Sequence, residues 1–176
     1  STAQQPALNT QEDPSKPTIE PLTIAPLFEL KASTGGMLSL ASLAGNAIVI
    51  EFGGSWCLPL RESQPELEAL IAHYKDKPLR VLSLSVRDKS PSAAIESFNN
   101  KTHTFPLLIE ADAIASEYRV TTYPTYFIIG TNREILKVIN SFNKETTITD
   151  IKLVLDMYFE YLTGSSSPAP CLLYTS

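Results

Sequence analysis

Cys57 is the residue whose chemical type and position best suit it to covalent chemistry. It follows a run of mostly β-branched residues, 47–52, that is broken by two glycines, and it directly precedes a helical pattern that begins at Leu58. A thiolate at the start of a helix faces unpaired backbone N–H groups and the positive end of the helix dipole. We therefore expect a Cys57 pKa below the free value of about 8.5, which would make this cysteine a nucleophile. The alternative is a buried structural cysteine, the common fate of lone cysteines.

The elements around Cys57 are expected to alternate between strands and helices. Such alternation predicts parallel strands, and a hairpin near the end of the chain predicts antiparallel ones. The predicted elements are a hairpin of 27–30 and 37–40, a strand at 47–52, a helix at 58–75 that Pro65 should kink, a strand at 79–86, a helix from 91 to about 100 with Ser90 as N-cap, a strand at 107–110, a helix at 112–118, strands at 125–130 and 134–140, and a helix at 147–162.

Composition and charge exclude several functional classes. The chain has 176 residues, a formal net charge of −5 and 43% hydrophobic residues, which is ordinary for one globular domain. An acidic chain is unsuited to non-specific nucleic-acid binding, because that binding depends on Lys and Arg side chains that neutralise phosphates. Two cysteines and two histidines are too few for a disulfide framework or a multi-ligand zinc pattern. We expect no metal and no other cofactor.

The two ends of the sequence differ from its middle. Residues 1–26 contain five of the thirteen prolines and no glycine, so we interpret them as an extended linker before a domain at 27–162 and a flexible tail at 163–176. The chain starts at Ser1 without a signal-like segment, and loss of a signal or membrane anchor, or simple trimming, would each explain that start. Cys171 lies in the tail, where it could cap Cys57 or form dimers during handling. We expect a monomer.

The segment around Cys57 resembles the active site of the thioredoxin superfamily, in which a strand leads into Trp-Cys-x-x-Cys and a helix. Residues 51–61 are Glu-Phe-Gly-Gly-Ser-Trp-Cys-Leu-Pro-Leu-Arg, and residues 121–129, Thr-Thr-Tyr-Pro-Thr-Tyr-Phe-Ile-Ile, resemble the superfamily's cis-proline loop and the strand after it. The opening hairpin and Pro65 fit the TlpA-like (ResA/DsbE) branch. Over about residues 26–162, the resemblance implies a thioredoxin-like three-layer α/β sandwich, with a mixed central sheet, flanking helices and an N-terminal β-hairpin extension.

Leu60 is the main departure from that family, because it occupies the position of the second cysteine. A dithiol enzyme attacks a substrate disulfide with its first cysteine and releases the mixed disulfide with its second. Leucine cannot perform the second step. Three outcomes remain open: Cys57 acts as a monothiol that glutathione or another protein resolves, Cys57 holds partners covalently, or redox chemistry is lost and the fold is kept as a binding module.

Glu51 stands six residues before Cys57, where thioredoxins keep a buried acid. TlpA-like proteins often place a Glu six residues after the cysteine instead, and this chain has Ser63 there. A carboxylate within such an apolar run would be desolvated and its pKa raised. It could then accept or relay a proton near Cys57, although in its ionised form it would oppose the thiolate. The alternative is that Glu51 reaches the surface or pairs with Arg61 or a lysine.

The resemblance also implies a substrate groove beside Cys57. Its expected members are Trp56, Leu58, Pro59, Leu60, Tyr123 and Pro124. A cis peptide before Pro124 would turn the Tyr123 backbone toward Cys57, where its free N–H and C=O would pair with an extended partner segment. The alternative for Trp56 and Tyr123 is simple packing.

Two functions from different classes follow. The first is monothiol thiol–disulfide exchange through Cys57 in the periplasm or another extracytoplasmic compartment of a bacterium, with protein thiols and disulfides or a glutathione-like thiol as partners. It requires an exposed Cys57 sulfur. The second is a redox-inactive binding or chaperone module, with the sulfur buried under apolar side chains such as Leu58 and Leu60. A peroxidase activity is less well supported, because the Pro/Thr spacing of peroxiredoxins is missing before Cys57.

Overall fold

The computed structural model describes residue 15 and residues 21–99 and 103–164, and its order of strands and helices is the predicted one. The elements are a hairpin of β1 (Glu29–Lys31) and β2 (Met37–Ser39), five further strands, β3 (Ala47–Gly53), β4 (Leu79–Ser85), β5 (Leu107–Leu108), β6 (Thr125–Ile129) and β7 (Ile135–Ile139), and four α-helices, α1 (Leu58–His73), α2 (Pro91–Asn99), α3 (Asp112–Glu117) and α4 (Thr147–Leu162).

The main sheet has five strands in the order β5-β4-β3-β6-β7. Strand β3 pairs parallel with β4 and antiparallel with β6, and β4 pairs parallel with β5. All seven residues of β3 are buried. This central position explains the nearly continuous apolar run in the sequence, because a strand covered on both faces needs apolar side chains in both directions. The predicted mixed sheet is confirmed.

Two layers cover the sheet, one on each face. Helices α1, α2 and α4 pack on one face, against side chains such as Val49 and Ile128. The hairpin and α3 pack on the other face, against side chains such as Ile50 and Phe127. Because side chains alternate along a strand, Glu51 points to the same face as Val49. The fold therefore directs the Glu51 side chain toward α1, the helix that Cys57 precedes.

Most boundaries differ from the predicted ones by one or two residues, and three differences affect the packing. Helix α1 ends at His73 rather than at residue 75, with Tyr74 as its C-cap. Strand β5 has two residues instead of four, because the N–H of Ile109 donates to the carbonyl of Lys31 in the hairpin and not to β4. An unforeseen 3-10 helix, Leu40–Leu43, follows β2. The predicted N-cap of α2 is confirmed, since the Ser90 hydroxyl accepts the N–H of Ala93 at 3.1 Å.

Ordered pairing begins slightly before residue 27, the predicted start of the domain. The N–H of Ala25 donates to the carbonyl of Arg133 at 2.8 Å, and Ile24 forms a bridge with Glu134. Cys171 and the rest of the predicted tail beyond residue 164 lie outside the described residues. Within the described part of the chain, no helix is long and apolar enough to cross a membrane.

Candidate active site

Cys57 occupies the turn between β3 and α1. It is the N-cap residue of α1, with extended backbone angles (φ −91°, ψ 102°), and its own N–H donates to the carbonyl of Gly54 at 2.9 Å. Pro59 stands in the first turn of the helix, where its missing N–H costs no hydrogen bond. The break after the buried strand and the proline at the helix start thus place Cys57 where the sequence predicted.

Monothiol exchange was expected to require an exposed Cys57 sulfur, and the structure instead buries this residue. Cys57 is 4% exposed. Burial raises the pKa of the Cys57 thiol, the backbone N–H of Leu60 lowers it, and the negative charge of Glu51 raises it further. The expected decrease of the Cys57 pKa is therefore wrong: the loss of hydration outweighs the stabilisation that the helix start gives to the thiolate.

Glu51 is fully buried beneath the turn that carries Cys57. Its neighbours across the sheet are Ser83 on β4 and Tyr126 on β6. The Ser63 hydroxyl, from α1, donates to the carboxylate at 2.5 Å, and the Ser83 hydroxyl lies 3.5 Å from it. Burial raises the pKa of Glu51 to about 7, even though these hydroxyl groups favour the ionised form. The carboxyl can therefore take up and release a proton near neutral pH.

The alternative placement of Glu51 is wrong. The Arg61 guanidinium does not reach the carboxylate but donates to the backbone carbonyl of Ser55 at 2.9 Å. In this chain the carboxyl comes from β3, and α1 contributes the Ser63 hydroxyl that donates to it.

Tyr126 belongs to the same buried cluster, and sequence reasoning missed it as a site residue. Its hydroxyl oxygen is buried and makes no hydrogen bond of standard geometry. Burial and the nearby Glu51 charge raise the Tyr126 pKa far above its ordinary value, so the hydroxyl stays protonated. Its position in the sheet could have identified it, because residue 126 lies directly opposite residue 51 in the antiparallel pair β3–β6.

The two aromatic residues of the predicted groove meet beside Cys57. The rings of Trp56 and Tyr123 form an edge-to-face pair with centroids 5.5 Å apart, and the Trp56 indole N–H donates to the carbonyl of Val86 at 2.9 Å. Trp56 remains 48% exposed, whereas Pro124 is buried. The peptide bond between Tyr123 and Pro124 is cis. The structure thus brings these three predicted residues together on one side of the thiol.

The two leucines of the Cys-Leu-Pro-Leu segment have opposite environments. Leu58 is 65% exposed and Pro59 is also exposed, so both face outward beside the thiol. Leu60 is buried and packs against Gly53, where an added Cβ would lie 2.5 Å from the Leu60 Cδ1 atom. The second-cysteine position is therefore filled by an apolar side chain that belongs to the protein interior.

Asp88 is a further polar residue at this end of the sheet that sequence reasoning missed. Its carboxylate accepts the N–H of Ser55 at 3.0 Å and also the hydroxyl groups of Ser55 and Ser85. The carboxyl ends of the parallel strands β3 and β4 meet at the same edge, which explains why these residues come together. Asp88 fixes the loop before Trp56 and so supports the groove. Among the described residues, no three His, Cys, Asp or Glu side chains form a group that could hold a metal ion.

Comparison with known proteins gives consistent results. The model of the AhpC/TSA family matches residues 22–138. The Thioredoxin-like protein YneN of Bacillus subtilis is 33% identical over 106 residues, which are 60% of this chain and 62% of that protein. The thiol-disulfide oxidoreductase ResA of B. subtilis is 26% identical over 128 residues, 72% of this chain and 70% of ResA. The chain thus spans less than two thirds of the length of the first of these relatives.

Solved structures share the fold. The structure of a thiol-disulfide oxidoreductase from Bacteroides fragilis superposes with a TM-score of 0.64 at 24% identity, over 74% of this chain and 98% of that one. At this level of identity the likeness concerns the fold. Together with the strand order and the two covering layers, it confirms the predicted thioredoxin-like sandwich.

Proposed function

Because the chain belongs to the AhpC/TSA family, we propose that it is a ResA/DsbE-type thiol–disulfide exchange protein that acts as a monothiol through Cys57. The observation that carries the proposal is the position of Cys57. It caps α1 beside the paired rings of the half-exposed Trp56 and Tyr123, the surface along which we propose that an extended partner binds. The name of the relative ResA supports the same chemistry.

The proposed reaction has two steps. The Cys57 thiolate attacks one sulfur of a partner disulfide, so that a bond forms between Cys57 and that sulfur while the other partner sulfur leaves as a thiolate. An external thiolate, from glutathione or from another protein, then attacks the mixed disulfide, takes the partner sulfur and releases Cys57 as a thiolate. Leu60 has no thiol and takes no part in the second step.

The raised pKa of Cys57 makes both steps of this reaction slow. Only a small fraction of the thiol is ionised at neutral pH, so attack is slow, and Cys57 is a poor leaving group once the mixed disulfide has formed. We therefore expect the mixed disulfide to persist until an external thiol arrives. Glu51, with a pKa of about 7, serves as the nearby proton acceptor when the thiol ionises.

The proposed partners are protein thiols and disulfides, or a glutathione-like thiol in the resolving step. The proposed location is the periplasm or another extracytoplasmic compartment, as the resemblance to TlpA-like proteins implies, and the proposed active form is a monomer. The domain that carries the chemistry covers residues 27–162, between a linker at 1–26 and a tail at 163–176.

A second candidate function is a redox-inactive binding module. The specific observation in its favour is that Cys57 is 4% exposed and has a raised pKa, as expected of a cysteine that belongs to the interior. In this case, extended segments would bind along Trp56 and Tyr123 without a covalent step.

One experiment separates the two functions. In a Cys171→Ser background, the rate of Cys57 alkylation is measured from pH 6 to 10 by intact mass, and the same protein is incubated with oxidised glutathione and then with reduced glutathione. Monothiol exchange predicts a glutathione adduct that forms faster as the pH rises and disappears when the reduced thiol is added. A folded protein that stays unlabelled, while its denatured form reacts, would refute exchange and favour the binding module.

The Glu51→Gln variant supplies the matched control in the same experiment. Removing the Glu51 charge should lower the pKa of Cys57, because that charge opposes the thiolate. The alkylation profile should therefore shift to lower pH. If Glu51 also accepts the thiol proton, glutathione exchange near pH 7 should slow despite this shift. An unchanged profile and an unchanged exchange rate would exclude Glu51 from the chemistry.

A further inference from the structure

Two arginines stand at the rim of the Cys57 groove of a chain whose formal net charge is −5. Arg61 and Arg87 are both exposed. Among the described residues, neither guanidinium lies within 4.0 Å of a carboxylate as an ion pair. The Asp88 carboxylate follows Arg87 in the chain and the Asp112 carboxylate accepts the Arg87 N–H, so recognition here depends on the N–H donors of the guanidinium groups and not on a net positive field.

Arg87 is fixed directly to the groove. Its guanidinium carbon lies 5.1 Å from the centre of the Tyr123 ring, within the range of a cation–π contact. Its backbone has a positive φ of 56°, a region that non-glycine residues rarely adopt, and its N–H donates to the Asp112 carboxylate at 3.0 Å. The anchored backbone and the stacked side chain together hold the charge beside the cis-proline loop.

Arg61 contacts the loop that leads into Trp56. Its Nη2 atom donates to the carbonyl of Ser55, the residue before Trp56. One guanidinium thus lies over the Tyr123 ring and the other bonds the loop before Trp56, and each retains N–H donors that these contacts do not use.

From this arrangement we infer that the groove selects disulfide partners that carry carboxylates close to the reacting sulfur. The guanidinium fork suits a carboxylate in two-point contact. The inference rests on the proposed function and narrows it to a substrate class. The carboxylates can belong to a small disulfide such as oxidised glutathione, or to acidic residues that flank a cysteine in a protein.

The test measures reaction of Cys57 with disulfides of different charge, in the Cys171→Ser background. The reagents are dianionic dithiobis(nitrobenzoate), neutral dipyridyl disulfide and cationic cystamine. The rate of each variant is divided by the rate of the parent Cys171→Ser protein with the same reagent. Arg87→Gln and Arg61→Gln should each lower the ratio of the dianionic rate to the neutral rate about 3-fold at low salt. The effect should shrink at 0.5 M salt because exposed charges are screened.

Arg80→Gln is the matched control. Arg80 is an exposed arginine at the start of β4, whereas Cys57 follows the end of β3, so the same charge is lost at the far end of the parallel pair. Arg80→Gln should leave all three rates unchanged. If it slows the dianionic reagent as much as the rim variants do, only net charge matters and the inference is overturned. Rim variants with the same rates as the parent protein would also overturn it.

Oxidised glutathione and two cysteine peptides identify the source of the carboxylates. Each peptide forms a mixed disulfide with a small neutral thiol, and one has Asp beside its cysteine while the other has Lys. If Arg87→Gln slows only the reaction with oxidised glutathione, the partner is a small molecule. If it slows the reaction with the Asp peptide, the partner is an acidic protein segment. A parent protein that reacts with the neutral reagent yet shows no charge preference refutes this inference only. A parent protein that reacts with none of the reagents refutes the proposed function and this inference together.

Discussion

Replacing the buried Glu51 by glutamine should change how the stability of the protein depends on pH. Glutamine has nearly the same shape as protonated glutamic acid, so the variant resembles the wild type with its Glu51 proton permanently in place. The carboxyl lies between β3 and α1, fully buried, and accepts a hydrogen bond from the Ser63 hydroxyl. The two proteins should therefore differ in stability only where the wild-type carboxyl is driven to ionise.

The magnitude follows from the two pKa values of Glu51. In the unfolded chain the ordinary value is 4.5, and burial raises the pKa in the folded protein to about 7. Below pH 4.5 both states hold the proton, and the acid adds no pH dependence. Between pH 4.5 and about 7 only the folded state holds it, so unfolding releases a proton and the free energy of unfolding falls as the pH rises. At about 1.4 kcal/mol per pH unit, the loss is about 3 kcal/mol and is complete above pH 7.

The assay is chemical denaturation of wild type and Glu51→Gln at half-unit steps from pH 4 to 8.5, followed by circular dichroism with a reductant present. Taking the difference between the two curves removes the titration of every other group. The difference should favour the variant increasingly with pH and reach about 3 kcal/mol. Glu62→Gln, an exposed change on the same helix, is the control and should show no such trend. Parallel curves for Glu51→Gln and wild type would refute the reasoning, because they would mean that Glu51 is hydrated in the folded protein.

Two further predictions concern the same site. Leu60→Cys should allow a disulfide with Cys57 and increase insulin-reducing activity, because the substitution restores the resolving thiol. No increase in a variant whose circular dichroism shows an intact fold would mean that the groove has changed at more than this one residue. Tyr126→Phe should raise the pKa of Glu51 above its value of about 7, because the Tyr126 hydroxyl favours the ionised carboxylate. The fall in the free energy of unfolding should then extend to higher pH. Tyr118→Phe, which removes a hydroxyl that donates to the carbonyl of Pro26 at 2.7 Å, is the control and should not shift that profile; equal pH profiles of the two variants in urea denaturation would contradict this account.

Much of the fold could be predicted because its strongest signals are local. The β-branched run of β3 and the two glycines after it mark a central strand and its end, and Ser90 before Pro91 marks a helix start. The 3-10 helix Leu40–Leu43 and the short β5 were missed for a different reason. Both depend on how the N-terminal hairpin packs on the sheet, and periodicity within a short segment does not report such distant pairing.

Cys57 and Glu51 could be identified from the sequence, whereas Tyr126 and Asp88 were missed and the electrostatics of the site could not be predicted. Position in the sequence placed Cys57 at a helix start, and the helix dipole alone predicts a lowered pKa. The opposite direction comes from burial, whose effect on the Cys57 pKa outweighs the hydrogen bond from the Leu60 backbone N–H. The hydroxyl groups that hold Glu51 come from α1 and β4, 12 and 32 residues away. Such long-range desolvation and pairing need the assembled structure.

The buried Glu51 is hard to explain by packing alone. Above pH 7 its ionisation lowers stability by about 3 kcal/mol, whereas a leucine or glutamine at this position would carry no such penalty. The register of β3 nevertheless places it between Ser83 and Tyr126, and α1 adds Ser63, so the site is arranged to hold an acid. With a pKa of about 7 this acid is partly deprotonated at neutral pH, so it can accept a proton from a neighbouring thiol. A site that had lost all thiol chemistry would have no use for that property, and this is why we place monothiol exchange before simple binding.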